Sequence, residues 1–136
     1  MINELIKLMR VQEQELKHLL VLLEMQYKMI MDKDVFGLEG VVDKIGECSK
    51  KIAKEEVQRR SILGNESITE IVMTSENEEL KEAYNSIQDT LKNVVFKKET
   101  NEMLIKQNLV FTNKMLSLIN PNRDMKTYNS YGNLSR

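Results

Sequence analysis

Glu15 and His18 stand three residues apart, so one helical turn carries both on the same face. Glu-x-x-His at this spacing is the ligand pair of di-iron helical bundles. Such a centre needs two of these pairs and two further glutamates, and His18 is the single histidine of the chain. Only a homodimer would supply the second, so His18 reads as a surface residue. The single cysteine, Cys48, falls on an apolar seam and reads as a buried structural thiol, with no second histidine to activate it. It permits no internal disulfide, which fits a reducing compartment. A serine nucleophile motif, a glycine-rich phosphate loop and zinc-finger spacing are all missing. Asn65 to Ser67 and Asn133 to Ser135 match the glycosylation pattern, which has meaning only behind a secretory signal. Glu4, Lys7 and Arg10 interrupt the N-terminus before an apolar signal block could form. These residues point away from enzyme activity and assign no metal and no cofactor.

The elements that would position any site are helices. Gly and Pro together number six in 136 residues, about 4% against roughly 12% in ordinary proteins. So few punctuators favour long uninterrupted helices over strands and turns. Hydrophobic residues at 41% make the chain too apolar for disorder. The charge is balanced, 20 basic against 21 acidic, and residues 1–63 carry 11 of each. With no basic face, nucleic-acid binding is not expected. The longest apolar run, Leu19 to Leu23, falls far short of the ~20 residues of a membrane span, so no membrane insertion is expected.

Ile2, Ile6, Met9, Leu16, Leu20, Leu23, Tyr27 and Ile30 recur in steps of three, four and seven, one face of a helix over about 2–32. Leu5, Leu8, Leu19 and Leu22 widen that face as a bundle requires. Asp34 is placed to cap a second helix over about 34–63, with Leu38, Val41, Val42, Ile45, Cys48 and Ile52 inward and Gly64-Asn65 as its stop. Gly37, Gly40 and Gly46 either admit a close neighbour or soften that helix's first half. Capping boxes at Ser67/Glu70 and Ser75/Glu78 predict a short helix over 67–74 and a long one over 76–119. The long helix has a seam of Leu80, Tyr84, Ile87, Leu91, Val94, Lys98, Asn101, Ile105, Asn108, Thr112, Met115 and Ile119, closed by Asn120-Pro121. The expected architecture is an all-α antiparallel bundle, one domain over 1–119, with a flexible, disordered tail over 120–136.

At 1.5 Å per residue, the first two helices reach roughly 45 Å and the last roughly 66 Å. The last therefore overhangs unless it bends, and polar Lys97 to Asn101 is the expected place. Composition changes there too. Residues 76–102 hold 11 charged and eight apolar side chains, whereas 103–119 hold two charged and ten apolar ones. Met103, Leu104, Ile105, Leu109, Val110, Phe111, Met115, Leu116, Leu118 and Ile119 circle most of the helix. An apolar arc this wide calls for a partner beyond one helical hairpin. Asn101, Asn108 and Thr112 on the seam suit an exchangeable groove better than a permanent zipper. The same arc would also serve a structural coiled-coil homodimer or adaptor, the alternative reading.

The run Asn101-Glu102-Met103-Leu104-Ile105-Lys106-Gln107-Asn108-Leu109-Val110-Phe111, continuing through Met115 to Asn120-Pro121, resembles the FlgN family of flagellar export chaperones, in its Gram-positive form. The family pattern is Asn, then Leu-Ile, then Gln-Ser-Leu-x-Phe, an apolar stretch and Pro. Tyr128 to Gly132 is similar to the Tyr-and-Gly ending, and Lys54-Glu55-Glu56-Val57-Gln58-Arg59-Arg60 to the Glu-rich close of the second helix. Asn108 departs from the usual Ser, and Lys98 from a frequent first Asn.

The resemblance implies a cytoplasmic type III secretion chaperone. It would bind the C-terminal amphipathic helix of hook-associated (hook–filament junction) proteins, prevent their premature self-association and deliver them to the export gate and its ATPase machinery. Client-helix binding is then expected at Asn101, Leu104, Ile105, Asn108, Leu109, Phe111, Thr112, Met115, Leu116 and Ile119. Tyr128 and Tyr131 are the candidates for docking at the gate, and a homodimer would shelter the arc when no client is bound.

Overall fold

The computed structural model describes the backbone of residues 1–119 and the side chains of residues 1–108. Among the described residues there are four helices and no strand: α1 (Ile2–Asp32), α2 (Val35–Leu63), α3 (Ile68–Thr74) and α4 (Glu78–Ile119). The all-α expectation holds. The chain divides into two compact units, residues 1–98 and the chain from Glu99 onward. The expected tail, 120–136, lies outside the described residues. No described helix is long and apolar enough to cross a membrane.

In residues 1–98, α1 is the central element. It buries Leu5, Ile6, Met9, Leu16, Leu19, Leu22, Leu23 and Ile30, the wide stripe that its spacing predicts. α2 lies antiparallel to it: Gln12 of α1 reaches Ile52 and Glu56, while Glu15 and His18 reach Cys48. The first half of α4 runs parallel on another flank, where Glu13 meets Ser86 and Thr90 and the Lys97 ammonium lies 3.7 Å from the centre of the Tyr27 ring. α3 places Val72, Ile68 and Ile71 against the same core.

The ends follow local chemistry. Asp34 accepts a hydrogen bond from the Gly37 amide at 2.9 Å, capping α2 as expected. A Cβ on Gly37 would crowd that carboxylate and force the cap to shift, while Gly40 and Gly46 face open space. Gly64 at φ 62° ends α2 by donating to the Arg60 carbonyl. The start of α4 is corrected from 76 to Glu78. Asn77, not Ser75, is its cap, accepting from the Leu80 amide at 3.1 Å, while the Ser75 hydroxyl accepts from the Asn77 amide. Ser67 precedes α3 without a side-chain cap bond. Its capping box does not form.

Two inward positions also differ from expectation. Val42 is 53% exposed because Val41 takes the inward position and neighbours on a helix point about 100° apart. On α4 the buried seam is Leu80, Ala83, Ile87, Thr90 and Val94, with Tyr84 packed half-buried against it, whereas Leu91 is 40% exposed. Ala83 and Thr90 are buried on that face, Thr90 beside Glu13, and Tyr84 keeps its hydroxyl 3.4 Å from that of Thr69.

Thr90 belongs to a polar layer that crosses the core. Gln12 and Glu13 are 4% and 5% exposed. Adjacent on α1, they face different neighbours. Gln12 donates to the Glu56 carboxylate at 3.3 Å on α2. Glu13 accepts from the Ser86 hydroxyl and, at 3.4 Å, from that of Thr90 on α4. Lys17, at 3.8 Å, supplies the only ion pair to Glu13 among the described residues. A buried carboxylate without such partners would cost several kcal/mol, so the layer sets the registers of both flanking helices.

Glu13→Ala removes the acceptor from two hydroxyls and leaves a void, with an expected loss of about 1–3 kcal/mol in urea unfolding. A loss no larger than that of an exposed control such as Glu24→Ala would show that the layer does not hold register. Burial pushes the Glu56 carboxyl up, but hydrogen bonds from Arg59, Gln12 and Arg60 and the charge of Arg59 bring it below its ordinary 4.5. Its contribution is therefore complete above about pH 4.5 and fades as pH falls through the depressed folded value. Urea melts between pH 3 and 6 should show Glu56→Gln losing less stability on acidification than the parent.

Candidate functional site

The apolar arc begins in the second unit, on the part of α4 from Glu99 to Ile119. No Gly or Pro interrupts this stretch, and Leu, Met, Lys and Gln are good helix formers, so the segment stays helical through its polar start at Lys97 to Asn101. The helix ends at Ile119, the residue before Asn120-Pro121, as expected. Of the candidate client-binding residues, Asn101 is 1% exposed and Ile105 41%. Leu104 is half-buried and Asn108 exposed. Met103 adds a further exposed apolar side chain at 53%. Leu109, Phe111, Thr112, Met115, Leu116 and Ile119 have helical backbone, and their side chains lie outside the described residues, as do Tyr128 and Tyr131 altogether.

Chemically, Met103, Leu104 and Ile105 present apolar area on a helix that carries only one charge, Lys106, from residue 103 to residue 108. That surface can bind an apolar helix face and offers no acid–base pair or nucleophile. Phe96, 70% exposed, and Val95, 44% exposed, are apolar side chains of α4 that belong to the first unit. The seam reading did not single them out, because both lie off it.

The first unit has an apolar groove of its own. Leu8 and Val11 of α1 face Val57 and Ile62 of α2, with Glu4, Lys7, Gln58 and Ser61 at the edges of a volume of about 750 Å³. Its signal was weak in the sequence, since Val57 sits in a charged stretch and Leu8 counts toward the core.

A third feature brings Glu15 and His18 of α1 together with Cys48 of α2. The Cys48 thiol, 3% exposed, lies 3.4 Å from the Glu15 carbonyl, 3.7 Å from the Glu15 carboxylate and 4.0 Å from His18 Nδ1. Burial, then the Glu15 charge, raise the thiol above its ordinary value. Glu55 is raised too, by burial and by Glu15, and its Oε1 is buried without a hydrogen-bond partner. Hairpin register was the available signal. A hairpin folded about Lys33 sets position 48, fifteen residues past the turn, opposite position 18, fifteen before it.

Neither the curated proteins nor the solved structures include a match to this chain. The match that exists is to a family as a whole. A family model described as FlgN protein covers residues 1–136, the full length of the sequence, so the chain belongs to the FlgN family of flagellar type III export chaperones.

Proposed function

We propose that this protein acts in the cytoplasm, taking the C-terminal amphipathic helix of a hook–filament junction protein onto residues 101–119 and holding it for the flagellar export gate. The observation that carries the reading is the density of apolar side chains on that stretch, ten in the 17 residues from 103 to 119, in a chain of this family. A client helix would lay its own apolar stripe along this face, the helix-in-groove mode of recognition. It would cover Met103 and Ile105, which stand exposed in the free chain. The client's apolar helix would otherwise drive self-association, so covering it is the protective act. Delivery requires release, which favours moderate affinity over permanent pairing.

An interface of standard size buries about 1,600 Å² in total. Leu104, Ile105, Phe111 and Met115 are its proposed centre, with Asn108, Leu109, Thr112, Leu116 and Ile119 completing the contact, while Asn101 is already buried in the free chain. Large apolar side chains at the centre of an interface carry most of the energy, and truncating one costs about 2 kcal/mol or more. Tyr128 and Tyr131 are proposed to contact the gate, because two aromatics in an otherwise polar segment have no core pattern to serve.

Light scattering on the purified chain should show uptake of one client C-terminal peptide per chain. A tight dimer that ignores the peptide would instead indicate a structural coiled coil. Phe111→Glu should weaken uptake by about 100-fold or more while helical content by circular dichroism stays nearly unchanged. An unfolded Phe111→Glu variant would place that side chain in the protein's own core. Replacing Tyr128 and Tyr131 together should leave peptide uptake intact and reduce client export in cells. Unchanged export would remove them from the proposal.

A further inference from the structure

We infer that Glu15, His18 and Cys48 form a binding site for one thiophilic divalent cation, of the Zn²⁺ class, across the α1–α2 hairpin. The three ligand types come from two helices and converge. His18 Nδ1 lies 4.0 Å from Glu15 Oε2 and 4.0 Å from Cys48 Sγ, and Sγ lies 3.7 Å from Oε2. Tetrahedral zinc with bonds of about 2.3 Å to sulfur and about 2.0–2.2 Å to nitrogen and oxygen needs ligand separations of roughly 3.3–3.6 Å. The triangle is therefore open by only a few tenths of an ångström. Side-chain adjustment of His18, whose side chain is 60% exposed, can close it without moving either helix.

Burial grades outward across the site. Sulfur lies at the floor, the Glu15 side chain is 26% exposed, and the imidazole stands at the mouth. The open side leaves room for water as the fourth ligand. Charge also fits. A thiolate and a carboxylate would neutralise a divalent ion, and the thiol proton would pass to solvent on binding. Glu55 Oε1 is buried without a hydrogen-bond partner. The sulfur ligand selects Zn²⁺ over Mg²⁺ or Ca²⁺. A bound ion would staple the two helices near mid-hairpin, stabilising the folded state in proportion to occupancy. This site stands apart from residues 101–119 and does not depend on client binding.

Titrating Co²⁺ into the full chain, free of any histidine tag, tests the inference. One equivalent should produce a thiolate-to-cobalt charge-transfer band in the near ultraviolet with intense visible bands of a four-coordinate ion, and Zn²⁺ should displace it. Zn²⁺ should also raise the melting temperature of the parent chain. Cys48→Ser and His18→Gln should each weaken metal binding on the order of 100-fold. His18→Gln alters an exposed side chain, so it remains decisive if Cys48→Ser fails to fold. Absent charge-transfer absorption, bands that survive His18→Gln, or half an equivalent of metal bridging two chains would each overturn the site.

Discussion

A carboxylate in an apolar core must have its lone pairs answered, and Glu13 imposes that constraint on the first unit. Its partners, Ser86 and Thr90, lie more than 70 residues away, so the bond is made only when α4 sits at one height beside α1. Gln12, one position earlier, makes the corresponding demand on α2 through Glu56. Apolar side chains such as Leu5, Met9, Leu16 and Leu80 supply burial but tolerate sliding, because one apolar ridge fits several grooves. The two polar side chains remove that freedom. They orient a bundle that hydrophobic contact alone would leave loosely registered.

Under the proposed function, the binding element must keep its helical backbone when its client departs. α4 belongs to the base through Leu80, Ala83, Ile87, Thr90 and Val94, and the same helix continues into the apolar stretch that begins at Met103. Helical backbone already formed before a client arrives lowers the ordering cost of association. Under the proposed function, the ordering cost would fall mostly on the client, which would keep affinity moderate enough for release.

Much of this was legible in the residues, and the failures have physical reasons. The α1 stripe and the Asp34 and Gly64 boundaries followed from local rules that need no partner. Ser75 and Asn77 are both good caps, and the choice between them depended on where α3 released the chain. On α4 the apolar spacing finds Leu80, Tyr84, Ile87 and Val94, yet Leu91 gives way to Thr90 because the position beside the buried Glu13 rewards a hydrogen-bonding side chain. The polar layer had a visible trace. The only seven-residue step in the α1 stripe runs from Met9 to Leu16, and Gln12 and Glu13 fill it. The gathering of Cys48 with His18 needed only the hairpin register. In the candidate client site, the density of apolar residues in 103–119 was plain, whereas the burial of Asn101 against the exposure of Asn108, on the same seam, depends on tertiary surroundings that spacing does not encode.

The central claim is that a client helix lies on the C-terminal part of α4. Amide hydrogen exchange with and without a saturating client peptide addresses it residue by residue. Slowed exchange should be concentrated between residues 101 and 119, with the α1–α2 hairpin unchanged. Protection confined to residues 4–11 and 57–62, the groove between α1 and α2, with α4 unaffected, would contradict it.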